Sequence, residues 1–559
     1  MRRNEFTPKD PAPTLGAGST GQAIQELLKS WVKTLADLAQ VKRRVAKKYK
    51  IACPSNVELL RAYHKMVRDK RIKENKKLEE LLRIRKVRSL SGIAVVSVLT
   101  KPYPCPGKCL YCPTQEGIPK SYLDNEPAVM RAVLNRFDPY LQVKTRLKAL
   151  QNTGHPIDKI ELIVIGGTWS YLPKNYQTWF IKRCFDACNN FNQKKRKKLP
   201  NFATAKKISS TLKVAQKLNE KAKHRIIGIT LETRPDFIDE KEIKRMRKLG
   251  ATRVEIGVQS LYDNVLKLNR RGHKVKATIE ATKLLKDAGF KVCYHMMPNL
   301  PGSDLKRDEE MFEELFSNYD FQPDLLKIYP CALLKESPLY QWWLKGKYRP
   351  YQERKLINLL KSIKKKIPYY CRIQRLVRDI PSYSVVTGPA KISNLRQVIV
   401  AEAKKEGWKC KCIRCREVRE NYNPKEKLVL FRQDYNASGG KEIFLSYEDK
   451  NREKLYSLLR LRIPSQYYEN CSRNIFPVLQ DAAIIREVHT YGQLVPISKR
   501  KTAPQHRGLG KKLIKEAEKI TRNEFSLRGI AVISGIGVRN YYRKLGYRLK
   551  DEYMVKELF

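Results

Sequence analysis

The chain has 559 residues, too many for one hydrophobic core, so two to four domains are expected. Its hydrophobic fraction of 42% is ordinary for a globular protein, and no apolar run approaches membrane-spanning length, which argues against a membrane protein. Lysine and arginine total 114 against 56 acidic residues, and a formal net charge of +58 calls for a polyanion such as a nucleic-acid backbone, or for a cytoplasm adapted to basic proteins.

Residues 1–20 are polar and rich in Pro and Gly, with no signal-peptide core, and read as the disordered start of a soluble, cytoplasmic protein. Residues 21–90 carry apolar positions at helical spacing and predict a basic helical, nucleic-acid-binding region; the basic residues cluster at 42–50, 65–77 and 83–88, and again at 194–198. Six apolar, β-branched runs follow, at Ile93–Thr100, Ile160–Ile165, Arg225–Leu231, Arg253–Val258, Lys291–Met297 and Leu325–Tyr329, each followed by a helix-like segment. This alternation predicts an α/β fold over 91–390, a parallel sheet forming a partial (β/α)6 barrel with its chemistry in the loops after the strands. Residues 391–425 read as a linker and 426–559 as a smaller α+β domain, in which LVLFRQDY, EIFLSY, AAIIREVHTYGQLVPIS and GIAVISGIG are strand-like.

Two tight cysteine clusters, in a chain without a secretion signal, suggest metal sites rather than disulfides. Cys105, Cys109 and Cys112 lie in a loop directly after the first strand. Three thiolates on a 4Fe-4S cluster leave one iron for a small molecule, and this spacing is the signature of radical S-adenosylmethionine (SAM) enzymes. Gly166, Gly167 and Thr168 after the second strand resemble the turn on which the SAM amino group rests; Glu232 and Arg234 after the third, and Gln259 after the fourth, are candidates for the rest of SAM. His295 reads equally well as a packed core residue.

Gln505, Gly508, Leu509, Gly510 and Lys511 open a helix between two strands, the order of the pyrophosphate cradle in GNAT-type acetyltransferases that bind acetyl-CoA. Tyr542 lies in the RNYYRKLGY stretch that matches the C-terminal part of that fold. Cys410, Cys412 and Cys415 have spacing suited to a structural zinc, with Cys371 or Cys471 as the fourth ligand.

Together CLYCP, EPAVMRA, GGTW, LETRPD, EIGVQS, HMMPNLPG, CIRCRE, GLG and RNYYRKLGY resemble the Elongator catalytic subunit family, from about residue 25 to the C-terminus. The resemblance implies a SAM-derived radical that removes a hydrogen from the acetyl methyl of acetyl-CoA, and transfer of the resulting carbon to C5 of the wobble uridine in tRNA. It assigns Lys159, Glu487, Val488, His489, Thr490, Leu509, Gly510, Lys511 and Tyr542 to acetyl-CoA, with Lys159 and Tyr542 the candidate catalytic residues, and Arg372, Arg375 and Arg378 to tRNA. It further implies an external electron donor for the cluster and leaves open a homodimer or other subunits. The short spacing from Cys105 to Cys109 departs from eukaryotic members and suggests a prokaryotic one; Lys511 stands where relatives often have an apolar residue, which matters little if backbone amides bind. The competing reading is a protein lysine acetyltransferase whose iron–sulfur domain is structural.

Overall fold

The computed structural model describes residues 17–30, 32–85, 91–192, 208–419, 423, 425–469, 474–491 and 508–559. The expectations for the N-terminal residues, the 194–198 basic cluster, Cys471 and Gln505 lie outside them. The chain divides into two compact units, one of residues 1–89 with 145–157 and one of 90–144 with 158–559.

The N-terminal stretch of the first unit forms α1 (Ala17–Lys29), α2 (Leu35–Lys48), α3 (Asn56–Arg68) and α4 (Lys76–Leu82). Thr34 with Asp37, and Ser55 with Glu58, close capping boxes that satisfy the free amides at the starts of α2 and α3. The apolar stripes of all four meet in one core around Ile24, Leu38, Leu59, Tyr63 and Leu82, which leaves the lysines and arginines on the outside.

The second unit is built on two sheets. Strands β1 (Ala94–Leu99), β2 (Lys159–Ile165), β3 (Arg225–Thr233), β4 (Arg253–Gln259), β5 (Lys291–Met296), β6 (Leu325–Ile328) and β7 (Arg372–Arg375) pair in parallel and in chain order. The partial barrel therefore has seven strands where the sequence predicted six. The seventh, only four residues long and charged at both ends, carries none of the apolar signal that marked the others.

The second sheet is mixed and contains β8 (Val429–Ala437), β9 (Gly440–Glu448), β10 (Leu455–Ile463), β11 (Ala482–Thr490), β12 (Gly529–Val532), β13 (Arg548–Lys550) and β14 (Tyr553–Glu557). Its inner face packs on the amphipathic helix Leu509–Asn523, through Leu459, Ile485, Leu513, Ala517 and Ile530. The segment predicted as one strand from Gly529 to Gly537 stops at Val532, because the turn after it lies against the start of β3. At Gly535 the approach is so close that a Cβ would stand 2.0 Å from the Ile227 carbonyl oxygen.

The two sheets are held together by ion pairs, of which those of Arg462 and Arg486 are buried. Arg462 on β10 grips Asp287 through Nε and Nη2 at 2.9 and 2.7 Å. Arg486 on β11 bonds Asp324 and, at 2.8 Å, Glu442 on β9. Lys291 at the start of β5 pairs with Glu487 at 3.2 Å. All these barrel residues lie before or at the beginnings of strands, so the second sheet covers the N-terminal ends of the barrel strands and leaves their C-terminal ends free.

Candidate active site

Each loop predicted to carry chemistry leaves the C-terminal end of a barrel strand. After β1 the chain reaches Cys105, half-buried, and Cys109 and Cys112, both buried. Backbone bonds fix this loop: Leu110 N donates to Asn269 O at 3.2 Å, and Leu339 N donates to Leu110 O at 2.9 Å. The Cys112 thiol is pushed up to about 12 by burial and by Cys109. Among the described residues, donor atoms within 4.8 Å of one another occur in Cys410, Cys412 and Cys415 and in Glu255, Cys293 and His295, and not in the three loop cysteines. That wider spacing fits thiolates that each take a different iron of a cube.

Around the loop stand cations and orphaned polar atoms. Arg234 bonds Asp236 through Nε and Nη2 at 2.9 and 2.7 Å, while its buried Nη1 has no partner. That Nη1 stands 2.7 Å from where a Cβ on Gly107 would be, with the Cys109 and Cys105 sulfurs at 3.5 and 3.8 Å from the same point. Arg271 donates to Cys109 Sγ at 3.7 Å, and the buried Tyr111 hydroxyl has no partner. Three thiols facing guanidiniums and unsatisfied donors fit an anionic iron–sulfur group.

The neighbouring strand ends complete a concave rim. Gly166 and Gly167 take φ of +128° and +92°, and Thr168 Oγ1 lies 3.9 Å from Cys105 Sγ. Glu232 accepts from Tyr122 Oη at 3.3 Å and faces His295 Nδ1 at 3.5 Å. Gln259 ends β4 in a left-handed conformation, φ +71°, with its buried amide oxygen unpartnered. A left-handed backbone beside an unsatisfied buried acceptor suits a ligand-facing position. His295 is buried, and its Nε2 donates to Glu255 at 3.0 Å.

At the other end of the barrel, β11 pairs with β12 only from Ala482 to Ile485, while its pairing with β10 runs on to Thr490. Glu487, Val488, His489 and Thr490 therefore lie on a splayed edge. The helix Leu509–Asn523 starts beside that edge with Gly508 left-handed at φ +70°. A Cβ on Gly510 would meet Tyr541 Oη at 3.3 Å, Thr490 Oγ1 at 3.6 Å and Val488 Cγ1 at 3.8 Å. Tyr542 instead packs into the sheet's core with Tyr547, and burial raises its hydroxyl. Against the upward push of burial, Lys291 and Arg460 hold the Glu487 carboxyl below its ordinary range. His489 Nε2 donates to Ser91 O at 3.2 Å, and burial lowers the ring's basicity. Lys159 begins β2, largely buried, its ammonium lowered by burial and by Arg225.

The linker cysteines Cys410, Cys412 and Cys415 converge, with Lys364 Nζ donating to Cys415 Sγ at 3.6 Å. Hydrogen bonds from the other two lower the Cys412 thiol well below its ordinary range. Cys371 is buried nearby but outside that set. Of the three arginines proposed to grip tRNA, Arg372 pairs with Glu417 and reaches Tyr491 Oη at 3.3 Å, and Arg378 donates to Ser121 O at 2.6 Å. Arg375 pairs with Asp379 and has the most exposed side chain of the three, at 43%.

The chain matches the radical SAM superfamily over residues 103–315 and the radical SAM C-terminal domain over 323–405. It is 43% identical to a tRNA uridine(34) acetyltransferase of Methanocaldococcus infernus, over 96% of this chain and 98% of the relative. It is 40% identical to human Elongator complex protein 3, over 96% of each chain. The solved structure of an N-terminally deleted archaeal M. infernus Elp3 superposes with a TM-score of 0.70 at 43% identity, covering 84% of this chain and all of that one. The chain belongs to this family. It is thus a radical SAM enzyme of the Elongator protein 3 type.

Within this family member, reading by motif missed three things. Arg271 follows no predicted strand, so its approach to Cys109 had no local signal. Tyr541 Oη lies 3.3 Å from the Cβ position of Gly510 at the helix start, whereas Tyr542, the tyrosine that the resemblance assigned, packs into the core. The barrel's inner face is ionic: Lys159, Glu161, Arg253, Glu255, Lys291, His295 and Lys327 fall at odd-numbered positions that share one face of their strands. Lys327 bonds Glu255, and Arg253 bonds Glu161 at 2.5 Å. The alternation in KIELIVI, RVEIGVQ and KVCYHM carried that signal, because period two puts every polar residue on one face.

Proposed function

We propose that the chain installs a carboxymethyl group on C5 of the wobble uridine in tRNA, using SAM and acetyl-CoA. The relatives' name, tRNA uridine(34) acetyltransferase, supports the substrate. The observation that carries the reading is that one compact unit bears the three-cysteine loop at one end of the barrel strands and the splayed, glycine-started cradle on the sheet that covers the other. The ionic face of the barrel strands, about 20 Å long for a six-residue strand, runs between them.

In this reading Cys105, Cys109 and Cys112 hold a 4Fe-4S cluster, and the Gly166–Thr168 turn, Glu232, Arg234 and Gln259 hold SAM. When bound, the cluster and SAM together supply the radical that abstracts hydrogen. The amides of Leu509, Gly510 and Lys511 cradle the CoA pyrophosphate at a helix N-terminus. The open edge at Glu487–Thr490 takes the pantetheine arm, with Lys159 and a tyrosine of the 541–542 pair near the thioester. Cys410, Cys412 and Cys415 hold a structural zinc in the linker, a role that the convergence of their three sulfurs supports. The net charge of +58, the basic N-terminal helices and Arg375 provide the attraction for tRNA. The wobble base lies in a single-stranded loop and enters a pocket without melting a duplex.

A protein lysine acetyltransferase would need a free general base at the cradle. Glu487 is committed to Lys291 and Arg460, and His489 to Ser91, which counts against that reading. The deciding experiment incubates the anaerobically reconstituted protein with tRNA, SAM, reductant and acetyl-CoA and digests the tRNA for mass spectrometry. 5-Carboxymethyluridine that requires both SAM and acetyl-CoA is the expected product. Its absence from protein with an intact cluster refutes the proposal.

A further inference from the structure

Arg271 is buried and always cationic, and no carboxylate among the described residues forms a salt bridge with it. Asp236, the acid closest to its electrostatics, is spent on both nitrogens of the Arg234 fork. The Arg271 Nη2 donates to Gly257 O at 2.6 Å, its Nη1 points to Cys109 Sγ at 3.7 Å, and its buried Nε has no partner. Burying a charge with no counterion costs several kcal/mol, on the order of the cost of breaking a buried ion pair, so the fold must offer an anion. The cysteine loop is the one at hand.

The local backbone is shaped to deliver this cation. Arg270 and Gly272 on either side take positive φ, +53° and +80°. In the same turn Asn269 O accepts from Leu110 N, between the second and third cysteines. One turn therefore both anchors the loop and aims a guanidinium at its sulfur.

We infer that Arg271 is a positioning residue that sets the reduction potential of the cluster held by Cys105, Cys109 and Cys112. The inference rests on the proposed cluster. One electron from an external reductant makes the cluster one charge more negative and changes no bond at Arg271. A fixed cation donating an N–H to a ligating sulfur stabilises that added charge more than it stabilises the oxidised form. Reduction is thereby favoured in a loop whose burial alone would oppose it.

The test uses full-length wild type, Arg271→Gln and Arg271→Lys, each reconstituted anaerobically, with iron and sulfide counted and the cluster titrated potentiometrically under EPR without SAM. The Gln variant is expected to shift the reduction equilibrium at least tenfold toward the oxidised form, a midpoint lower by about 59 mV for one electron. The Lys variant, which keeps the charge and loses the fork, is expected to fall between. If the Gln variant alone fails to hold iron, the Lys variant carries the measurement, and its midpoint must still drop. Midpoints equal to wild type in cluster-loaded variants overturn the inference. Loss of the cluster from both folded variants also overturns it, by assigning Arg271 to the architecture of the loop through Gly257. A wild-type protein with no 4Fe-4S signal removes the proposed function instead.

Discussion

A methyl group on Gly166 would sit 2.2 Å from Thr100 Oγ1 and 3.0 Å from the Thr100 amide nitrogen, at a backbone φ of +128°. The hydroxyl can rotate away, but the amide cannot: it donates to Ile165 O at 3.0 Å and holds the end of β1 in register with β2. On Gly167, by contrast, the nearest atom to an added Cβ is Lys120 O at 3.9 Å, so only its positive φ opposes a side chain. Gly166→Ala is therefore expected to lower SAM affinity by at least tenfold, about 1.4 kcal/mol, with iron content retained, and Gly167→Ala to do less. Anaerobic equilibrium dialysis of SAM against both variants checks this. Equal, unchanged affinities would mean that the turn does not touch SAM.

Six of the seven barrel strands and the loops that follow them could be read from sequence, because β-branched runs alternate there with helical periods. What escaped was charge in unexpected places. β10 contains Arg460 and Arg462, which look solvent-facing in the chain and are in fact fully buried. Their partners, Glu487 and Asp324 for the first and Asp287 and Glu442 for the second, lie on other elements, Asp324 and Asp287 far away in the chain. No local pattern can announce a strand whose charges are paired across two sheets. β7 escaped for the same reason, with Arg372 facing Glu417. The cysteine loop, the glycine turn and the cradle were legible because their chemistry requires fixed spacing within a few residues. The contact between the 535–537 turn and β3 was not legible, and it makes a sharp prediction. Gly535→Ala places a carbon 2.0 Å from the Ile227 carbonyl oxygen, 2.4 Å from its carbonyl carbon and 3.1 Å from the Gly228 amide, all backbone. Backbone cannot swing aside, so the turn must lift from the barrel, at a cost of about 3 kcal/mol or more, the upper range for overpacking. The measurement is the denaturation midpoint; a shift too small to resolve would show that this contact is loose.

Both sheets and the charges between them act as one body, and that interface responds to acid. Glu442 on β9 is almost completely buried, with Arg486 at 2.8 Å, Arg462 at 3.1 Å and Lys286 at 3.6 Å around it. Burial pushes its carboxyl up, but Arg486, Lys286 and Arg462 outweigh burial and bring it from an ordinary 4.5 down to about 2. Because the folded state holds this proton more weakly than the unfolded chain, the group's contribution to stability is complete above pH 4.5 and is lost as pH falls toward 2. Asp324, across the same cluster, shares Arg486 and Lys286, so protonating Glu442 leaves one carboxylate facing the same cations. Glu442→Gln keeps the shape and removes the titration. At pH 7 it should cost on the order of 3–5 kcal/mol, the usual penalty for leaving buried charge uncompensated. Denaturation measured from pH 7 down to 2.5 should then show wild type and variant converging below pH 4.5, since the wild type is losing there what the variant never had. Curves that stay parallel through that window would place the acid response elsewhere. Convergence would tie it to the charges that join the covering sheet to the base of the barrel.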